Sequence, residues 1–235
     1  MFMTNDFKRA FKATPATAGL VTVMVLVYLW EVLQAHSFTI NSQVLFHSGA
    51  QFSPAVYQLH QWWRLITAGF LHVTFSHLAF NMITLYFIGR LLEIELGPWR
   101  FLALFFLTVI SGNLMSLAFG GVNVISAGAS GGIFGLFGAI GMLGLLDKRR
   151  AYWRSQAKLM GIFILLSIVS SFATPDIDLS AHIGGLLGGF ILVPAFISGF
   201  HYTGLFKVRV WHRLLAVIVY LALLAVVFGI AINRI

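Results

Sequence analysis

Long apolar runs follow one another along this chain, separated by short polar or basic turns. About 20 apolar residues are enough for a helix to cross the hydrocarbon core of a bilayer. Seven runs approach or reach that length, at residues 16–33, 78–96, 101–119, 130–146, 159–172, 179–197 and 214–232. The fifth run is short. Because a spanning segment must satisfy its own backbone hydrogen bonds, the pattern predicts an all-α polytopic membrane protein.

Composition supports this class of protein. Of the 235 residues, 59% are hydrophobic and only 9% are charged, which argues against a soluble domain. The absence of cysteine excludes disulfides, zinc–thiolate sites and a cysteine nucleophile. Lys8, Arg9 and Lys12 precede a first run that is longer than the apolar part of a signal peptide. We therefore expect the first run to remain as an uncleaved span.

The basic residues predict an orientation. With the N-terminus inside, 13 of the 15 Lys and Arg residues fall on the cytoplasmic side: Lys8, Arg9, Lys12, Arg90, Arg100, Lys148, Arg149, Arg150, Arg154, Lys158, Lys207, Arg209 and Arg213. Only Arg64 and Arg234 fall outside. This bias predicts a cytoplasmic N-terminus and an external C-terminus. It also explains the net charge of +8 through anionic lipid headgroups and without nucleic acid.

Between the first two spans lies an outer segment, residues 34–76, that is too apolar for a flexible loop and too polar to span. Tyr57, Trp62 and Trp63 are expected to act as interfacial anchors, with Arg64 on a lipid phosphate.

Two spans carry rows of glycine and one polar residue each. Ser130 opens the fourth span between Gly128 and Gly131, and from Gly132 glycine recurs at every third position to Gly144. The sixth span has Ala181, Gly185 and Gly189 on one face, next to His182. Small residues at this spacing let two membrane helices approach closely. A serine hydroxyl needs an adjacent base to become a nucleophile, so Ser130 and His182 are a candidate pair.

Depth strengthens that interpretation. In the predicted topology the fourth and sixth spans both run inward, which puts Ser130 and His182 near the same membrane surface. The 17 residues from Ser130 to Leu146 span roughly 25 Å of helix against a hydrocarbon core of about 30 Å. Ser130 is therefore expected below the surface, after an irregular connection (residues 120–129) that lines a water-filled cavity.

The second span adds His77 and Asn81, four residues apart and so on one helix face. We interpret them as donors to a developing oxyanion, together with backbone N–H groups at the start of the fourth span. Alternatives remain for each polar residue. Ser130 has the position of a helix N-cap, His182, His77 and Asn81 have the chemistry of interhelical hydrogen bonds, and His72 with His77 and Asn81 has a metal-site interpretation.

These residues resemble the motifs of the rhomboid family of intramembrane serine proteases from Trp63 to Gly189. The matching positions are Trp63-Arg64, His77-x-x-x-Asn81, Gly89 with Glu93 and Gly97, Gly128-Ala129-Ser130-Gly131, and Ala181-His182-x-x-Gly185-x-x-x-Gly189. Each motif is short, but their order and their spans make the combined signal specific.

The resemblance implies a six-helix rhomboid core plus one C-terminal transmembrane helix. It divides the chain into a cytoplasmic segment (residues 1–15), the core (16–199), and a cytoplasmic loop with the seventh helix (200–235). It further implies that single-pass transmembrane proteins are cleaved near the outer surface, with no metal or cofactor, in what we expect is a bacterial cell membrane.

The resemblance also assigns roles to residues. It implies a catalytic Ser130–His182 dyad and an oxyanion hole made by His77, Asn81 and the Ser130 backbone N–H. Phe134 is expected to stack on His182, and Gly128 and Gly131 to support the serine.

Two rival functions stay open. A non-catalytic relative that binds membrane clients needs neither Ser130 nor His182, and a transporter is expected to have symmetric halves or charges at mid-membrane. No acidic residue lies in a span where it could orient His182. Asp176 and Asp178, in the turn before the sixth span, are expected to be solvated loop charges.

Overall fold

The computed structural model describes residues 13–146, 151–173, 177–197 and 208–234. Its helices and strands, in chain order, are α1 (Pro15–Ala35), α2 (Ser42–Ser48), β1 (Gln51–Phe52), α3 (Ser53–Tyr57), α4 (Arg64–Thr67), a 3₁₀ turn (Ala68–Phe70), α5 (Phe75–Leu96), α6 (Pro98–Phe119), β2 (Ile125–Ser126), α7 (Ser130–Leu146), α8 (Tyr152–Ala173), α9 (Leu179–Phe196) and α10 (Val210–Ile232).

The protein is an all-α polytopic membrane protein. Within the described ranges, six helices are long and apolar enough to cross a membrane, and α7 is a shorter apolar helix of 17 residues. All seven predicted runs coincide with these helices. The fifth run was predicted too short, because α8 begins at Tyr152 and has 22 residues. Its first turns contain Arg154, Gln156 and Lys158. Because these residues are polar, a prediction based on the length of the apolar run placed the start of the helix too late.

A carboxylate joins the first two long helices. Glu93 of α5 is almost fully buried, and its side-chain oxygens accept hydrogen bonds from the backbone N–H groups of Ala16 and Thr17 at 2.8 and 2.7 Å. The Thr17 hydroxyl donates to the same carboxylate at 2.7 Å. The first N–H groups of a helix lack partners within the helix and attract negative charge. Glu93 therefore caps α1 from within α5.

Arg64 lies inside the segment between α1 and α5, which corrects its expected place on a lipid phosphate. Its side chain is 3% exposed and donates to the carbonyl oxygens of Phe46 and Ala50 at 2.8 and 2.7 Å. Its Nε also donates to Gln61 at 2.7 Å. A guanidinium with several fixed donors can tie separate turns of chain together. Here it holds α2 and the start of β1 onto α4.

The expected interfacial anchors also differ from one another. Trp63 is 49% exposed. Tyr57 and Trp62 instead pack inward, with ring centroids 5.8 Å apart, and Trp62 lies 5.5 Å from Phe228 of α10. The segment is thus a packed layer of short helices.

The connection between α6 and α7 is mostly irregular, as predicted, but a short strand attaches it to this layer. β1 and β2 pair antiparallel, with Gln51 opposite Ser126 and Phe52 opposite Ile125. Two residues later the Gly128 N–H donates to the Ala68 carbonyl at 2.9 Å. The backbone that leads into Ser130 is therefore held in place from both sides.

Helices α6, α7 and α9 form the centre of the molecule. A Cβ atom at Gly185 or Gly189 would overlap the carbonyl oxygen of Gly131 or Gly135, so α7 and α9 touch backbone to backbone. This confirms the predicted packing of the two glycine rows. The largest fully buried side chains of α6 and α7 are Phe101, Leu104, Phe105, Leu136, Ile140 and Leu143.

The last helix packs on the outside of this core. In α10, the Tyr220 hydroxyl donates to the Leu107 carbonyl of α6 at 2.7 Å. Beyond its end, Arg234 donates to the carbonyls of Ala118 and Gly120 at 2.7 and 3.0 Å, which satisfies free acceptors at the C-terminus of α6.

Helix α8 lies at the periphery, and most of its side chains are exposed. Its two buried hydrophobic side chains, Trp153 and Met160, lie in the N-terminal half of the helix. Farther along, Phe163 stacks on Phe137 of α7 with centroids 6.2 Å apart.

Candidate active site

Ser130 is the first residue of α7, and Gly128 makes room beside it. Gly128 has φ +146°, a conformation that side chains with a Cβ rarely adopt. A Cβ at this position would lie 2.8 Å from Cε1 of His77 and 3.8 Å from the Ser130 Oγ. The His77 ring and the Ser130 hydroxyl thus border the same point.

His182 faces Ser130 across the contact between α7 and α9. Its Nε2 lies 2.9 Å from the Ser130 Oγ, which is hydrogen-bond distance. The close approach of Gly185 to Gly131 brings these two helices together one turn below. His182 is 7% exposed. The structure therefore joins the two side chains that the sequence nominated as nucleophile and base.

Phe134 forms a wall of the site, one helical turn after Ser130. Its ring stacks on His182 with centroids 4.0 Å apart and an angle of 4° between planes. Such a face restrains the imidazole and also favours a cation next to it. Phe137 lies 5.3 Å behind Phe134 and backs this arrangement.

His77 and Asn81 lie in the first two turns of α5, on the face predicted for them. The Thr74 hydroxyl caps α5 by accepting a hydrogen bond from the backbone N–H of His77 at 3.2 Å. Asn81 is 8% exposed, and its amide nitrogen is buried with no hydrogen-bond partner among the described residues. A buried unpaired donor is costly. It is a group available to an oxygen atom of a bound substrate.

His72 lies behind His77 and is completely buried, with ring centroids 5.1 Å apart. Burial, with a smaller contribution from His77, lowers the pKa of His72 to about 3, so the ring is neutral near pH 7. In the part of the chain that the structure describes, no three His, Asp or Glu side chains are grouped to bind a metal ion.

Asp178 corrects an expectation, because it is not a solvated loop charge. Its Oδ1 accepts the Ala181 N–H at 3.0 Å and so caps α9, one turn before His182. Its Oδ2 accepts the hydroxyls of Ser116 and Ser126 at 2.5 and 2.9 Å. The carboxylate ties the start of α9 to α6 and β2. Asp176 lies outside the described residues.

Ser167 of α8 was not a candidate from the sequence, yet its Oγ lies 3.3 Å from Nδ1 of His182. One serine in an apolar helix has no distinguishing pattern. The sequence therefore held no signal for this contact, which depends on where α8, packed on α7, places the Ser167 side chain relative to α9.

Comparison with known proteins identifies relatives of this chain. Residues 59–199 match the model of the Rhomboid domain, which covers more than half of the chain. The chain is 33% identical to "Rhomboid protease GluP" of Bacillus subtilis over 79% of its own length and 36% of that protein. It is 30% identical to "Putative rhomboid protease YdcA" of the same organism over 80% of its length and 92% of that protein.

A protozoan relative extends the comparison. "Rhomboid-like protease 3" of Toxoplasma gondii is 29% identical over 74% of this chain and 66% of its own length. The chain thus spans about a third of the length of the first relative, nearly all of the second and about two thirds of the protein from Toxoplasma gondii. On the Rhomboid domain match and these relatives, the chain belongs to the rhomboid family of intramembrane proteases.

Proposed function

We propose that this protein is an intramembrane serine endopeptidase that uses Ser130 and His182 as a catalytic dyad. The observation that carries the proposal is the 2.9 Å separation of Ser130 Oγ and His182 Nε2 in a buried site, with His182 stacked on Phe134. Nucleophile and base within hydrogen-bond reach, with the base oriented by a third group, are the signature of nucleophilic catalysis. A non-catalytic client-binding protein needs no such arrangement.

In the proposed reaction, Ser130 Oγ attacks the carbonyl carbon of the scissile peptide bond while His182 Nε2 takes the hydroxyl proton. The developing oxyanion is stabilised by Asn81, His77 and the Ser130 backbone N–H. His182 then gives its proton to the leaving amine, which leaves an acyl ester on Ser130. A water molecule, activated by His182, hydrolyses this ester and restores the serine.

We propose single-pass transmembrane proteins as substrates, with the cut near the outer membrane surface. The length of α7 supports this depth, since 17 residues reach roughly 25 Å and neighbouring helices of 22 residues reach roughly 33 Å. Ser130 at the end of the shorter helix then lies below the membrane surface. Helix α8, exposed along most of its length, is the proposed gate for lateral entry.

The proposed active unit is the core, residues 16–199, with the N-terminus cytoplasmic and the C-terminus outside a bacterial cell membrane. The Rhomboid domain match ends at residue 199, which supports a separate status for α10. The basic loops support the orientation.

The test is cleavage in proteoliposomes. Purified protein is incubated with a panel of single-span substrates, and the cut sites are mapped by mass spectrometry. We expect cleavage of some substrates near one end of the span, none by Ser130→Ala, and normal cleavage by the control Ser170→Ala, an exposed serine of α8. Persistent cleavage by Ser130→Ala contradicts the proposal.

A further inference from the structure

The imidazole of His182 lies between two serine hydroxyls that come from different helices. Nε2 is 2.9 Å from Ser130 Oγ of α7, and Nδ1 is 3.3 Å from Ser167 Oγ of α8. The ring is therefore contacted at both nitrogens, while Phe134 covers one face. The proposed dyad accounts for the Ser130 side and leaves the contact at Nδ1 without a role.

The tautomer of His182 links the two contacts. A neutral imidazole carries its proton on one nitrogen and accepts at the other. Ser130 can donate its hydroxyl proton only to an unprotonated Nε2, so the reactive tautomer has its proton on Nδ1. In that tautomer Nδ1–H points at Ser167 Oγ, which is the acceptor within reach. A partner at the second nitrogen is what selects a histidine tautomer.

Soluble serine proteases obtain this selection from a buried carboxylate. The carboxylate next to this helix, Asp178, is engaged elsewhere: its oxygens accept from the Ala181 N–H and from the hydroxyls of Ser116 and Ser126. A hydroxyl can donate as well as accept; as the acceptor of Nδ1–H, the Ser167 hydroxyl supports the same tautomer without placing a charge in an apolar region, where an ionised group is costly.

We propose that Ser167 is the positioning residue that holds His182 in the reactive tautomer, an inference that rests on the proposed function of Ser130 and His182. During attack the proton moves from Ser130 Oγ to His182 Nε2 as the bond between Oγ and the carbonyl carbon forms. Nδ1–H remains donated to Ser167 Oγ throughout. Ser167 therefore gains and loses no proton and stabilises the imidazolium only as an acceptor.

The position of Ser167 makes the tautomer of His182 depend on α8. The buried anchors of α8, Trp153 and Met160, precede Ser167, and the helix beyond it is largely exposed. A displacement of this half of α8 away from α9 would lengthen the contact between Ser167 and His182. The tautomer of His182 would then depend on where α8 lies.

The test combines Ser167→Ala with a matched pair, Ser167→Thr and Ser167→Val, which have the same shape and differ in the hydroxyl. Ser170→Ala is the control for an exposed serine on the same helix. The tautomer is read from ¹⁵N NMR of labelled His182 without substrate, and kcat and KM are measured separately. Thermal unfolding in detergent verifies that each variant is folded.

We expect Ser167→Ala and Ser167→Val to show mixed tautomers and kcat about 3- to 10-fold lower, the loss equivalent to one hydrogen bond. KM should stay near that of the wild type, and Ser167→Thr and Ser170→Ala should match the wild type in both readouts. A single unchanged tautomer in Ser167→Ala and Ser167→Val overturns the inference, as does an equal kcat loss in Thr and Val.

The NMR result is independent of turnover. If the wild type cleaves nothing, the proposed function fails. The tautomer of His182 in Ser167→Val, compared with that in Ser167→Thr, still decides whether Ser167 sets the protonation of His182.

Discussion

At the scale of single residues, the side chains around Ser130 are held in place by close contacts with their neighbours. Phe134 lies against the face of His182, and Gly128 leaves space between His77 and Ser130. Asn81 adds a buried amide nitrogen without a partner in the described chain. Groups held in place before the reaction need no reorganisation when charge develops, which is why fixed donors contribute strongly to catalysis.

The oxyanion assignment predicts the effect of removing donors. Asn81→Ala and His77→Ala should each slow cleavage by about 10²- to 10³-fold, the usual loss for one such donor. Ser130→Ala should abolish cleavage. Rates are compared in detergent after circular dichroism has shown that the variants are folded. If both pocket variants fold and cleave at the rate of the wild type, the oxyanion assignment is wrong.

Asp178 allows a prediction that separates structural support from catalysis. Asp178→Asn keeps a side-chain acceptor for the Ala181 N–H, so turnover should change less than about tenfold, well below the loss of about 10⁴ for a triad carboxylate. The same limit is expected for Asp176→Asn. Asp178→Ala removes the cap and should cost about 0.5–2 kcal/mol of stability. Phe134→Ala should reduce turnover more than either Asn variant.

These outcomes are read from initial rates and from unfolding midpoints measured on the same samples. A thousandfold loss of turnover in Asp178→Asn, with an unchanged midpoint, would make the carboxylate a third catalytic member.

At the scale of helices, the close approach of α7 and α9 is what brings Ser130 and His182 within 2.9 Å. The contact is made by backbone, since a side chain at Gly185 or Gly189 would overlap a carbonyl of α7. In lipid the hydrophobic effect does not drive helices together, so their association depends on close van der Waals packing, which the glycine rows allow. The geometry of the site is therefore a property of this helix pair.

Larger side chains at the contact should damage stability and activity together. Gly185→Val places side-chain atoms against the Gly131 backbone of α7, and Gly135→Val places them against Thr108 of α6, so unfolding midpoints in detergent should fall and cleavage should be largely lost. Gly161→Val in α8 and Gly229→Val in α10 are matched controls, because a Cβ there has no neighbour within 4 Å. Equal midpoints in all four variants would mean that stability does not depend on the close packing of α7 against α6 and α9.

At the scale of the whole molecule, apolar length and spacing were enough to predict the seven helices and the meeting of Ser130 with His182. Those features are local or repeat along one helix. What the sequence did not reveal depends on distant partners: Ser116 and Asp178 are 62 residues apart, and Glu93 caps a helix 76 residues earlier. No periodic pattern encodes such pairs. Arg64 was misplaced for the same reason, since its acceptors belong to turns 14 and 18 residues earlier.

The orientation of the molecule is a prediction at this scale. A reporter fused after Arg150 should be cytoplasmic and one fused after Ile235 should be external, because the basic residues concentrate on one side. Paired reporters active on opposite sides of the membrane provide the measurement, with each fusion point tested by both. A cytoplasmic reporter at Ile235 would contradict the proposed crossing of α10.

The central claim is that His182 activates Ser130, and covalent labelling tests it most directly. Purified protein is incubated with a serine-reactive phosphonate, and the adduct is located by mass spectrometry. We expect one adduct on Ser130, absent from Ser130→Ala and strongly slowed in His182→Ala. A folded wild type that forms no adduct, or a His182→Ala variant that reacts as fast as the wild type, would contradict it.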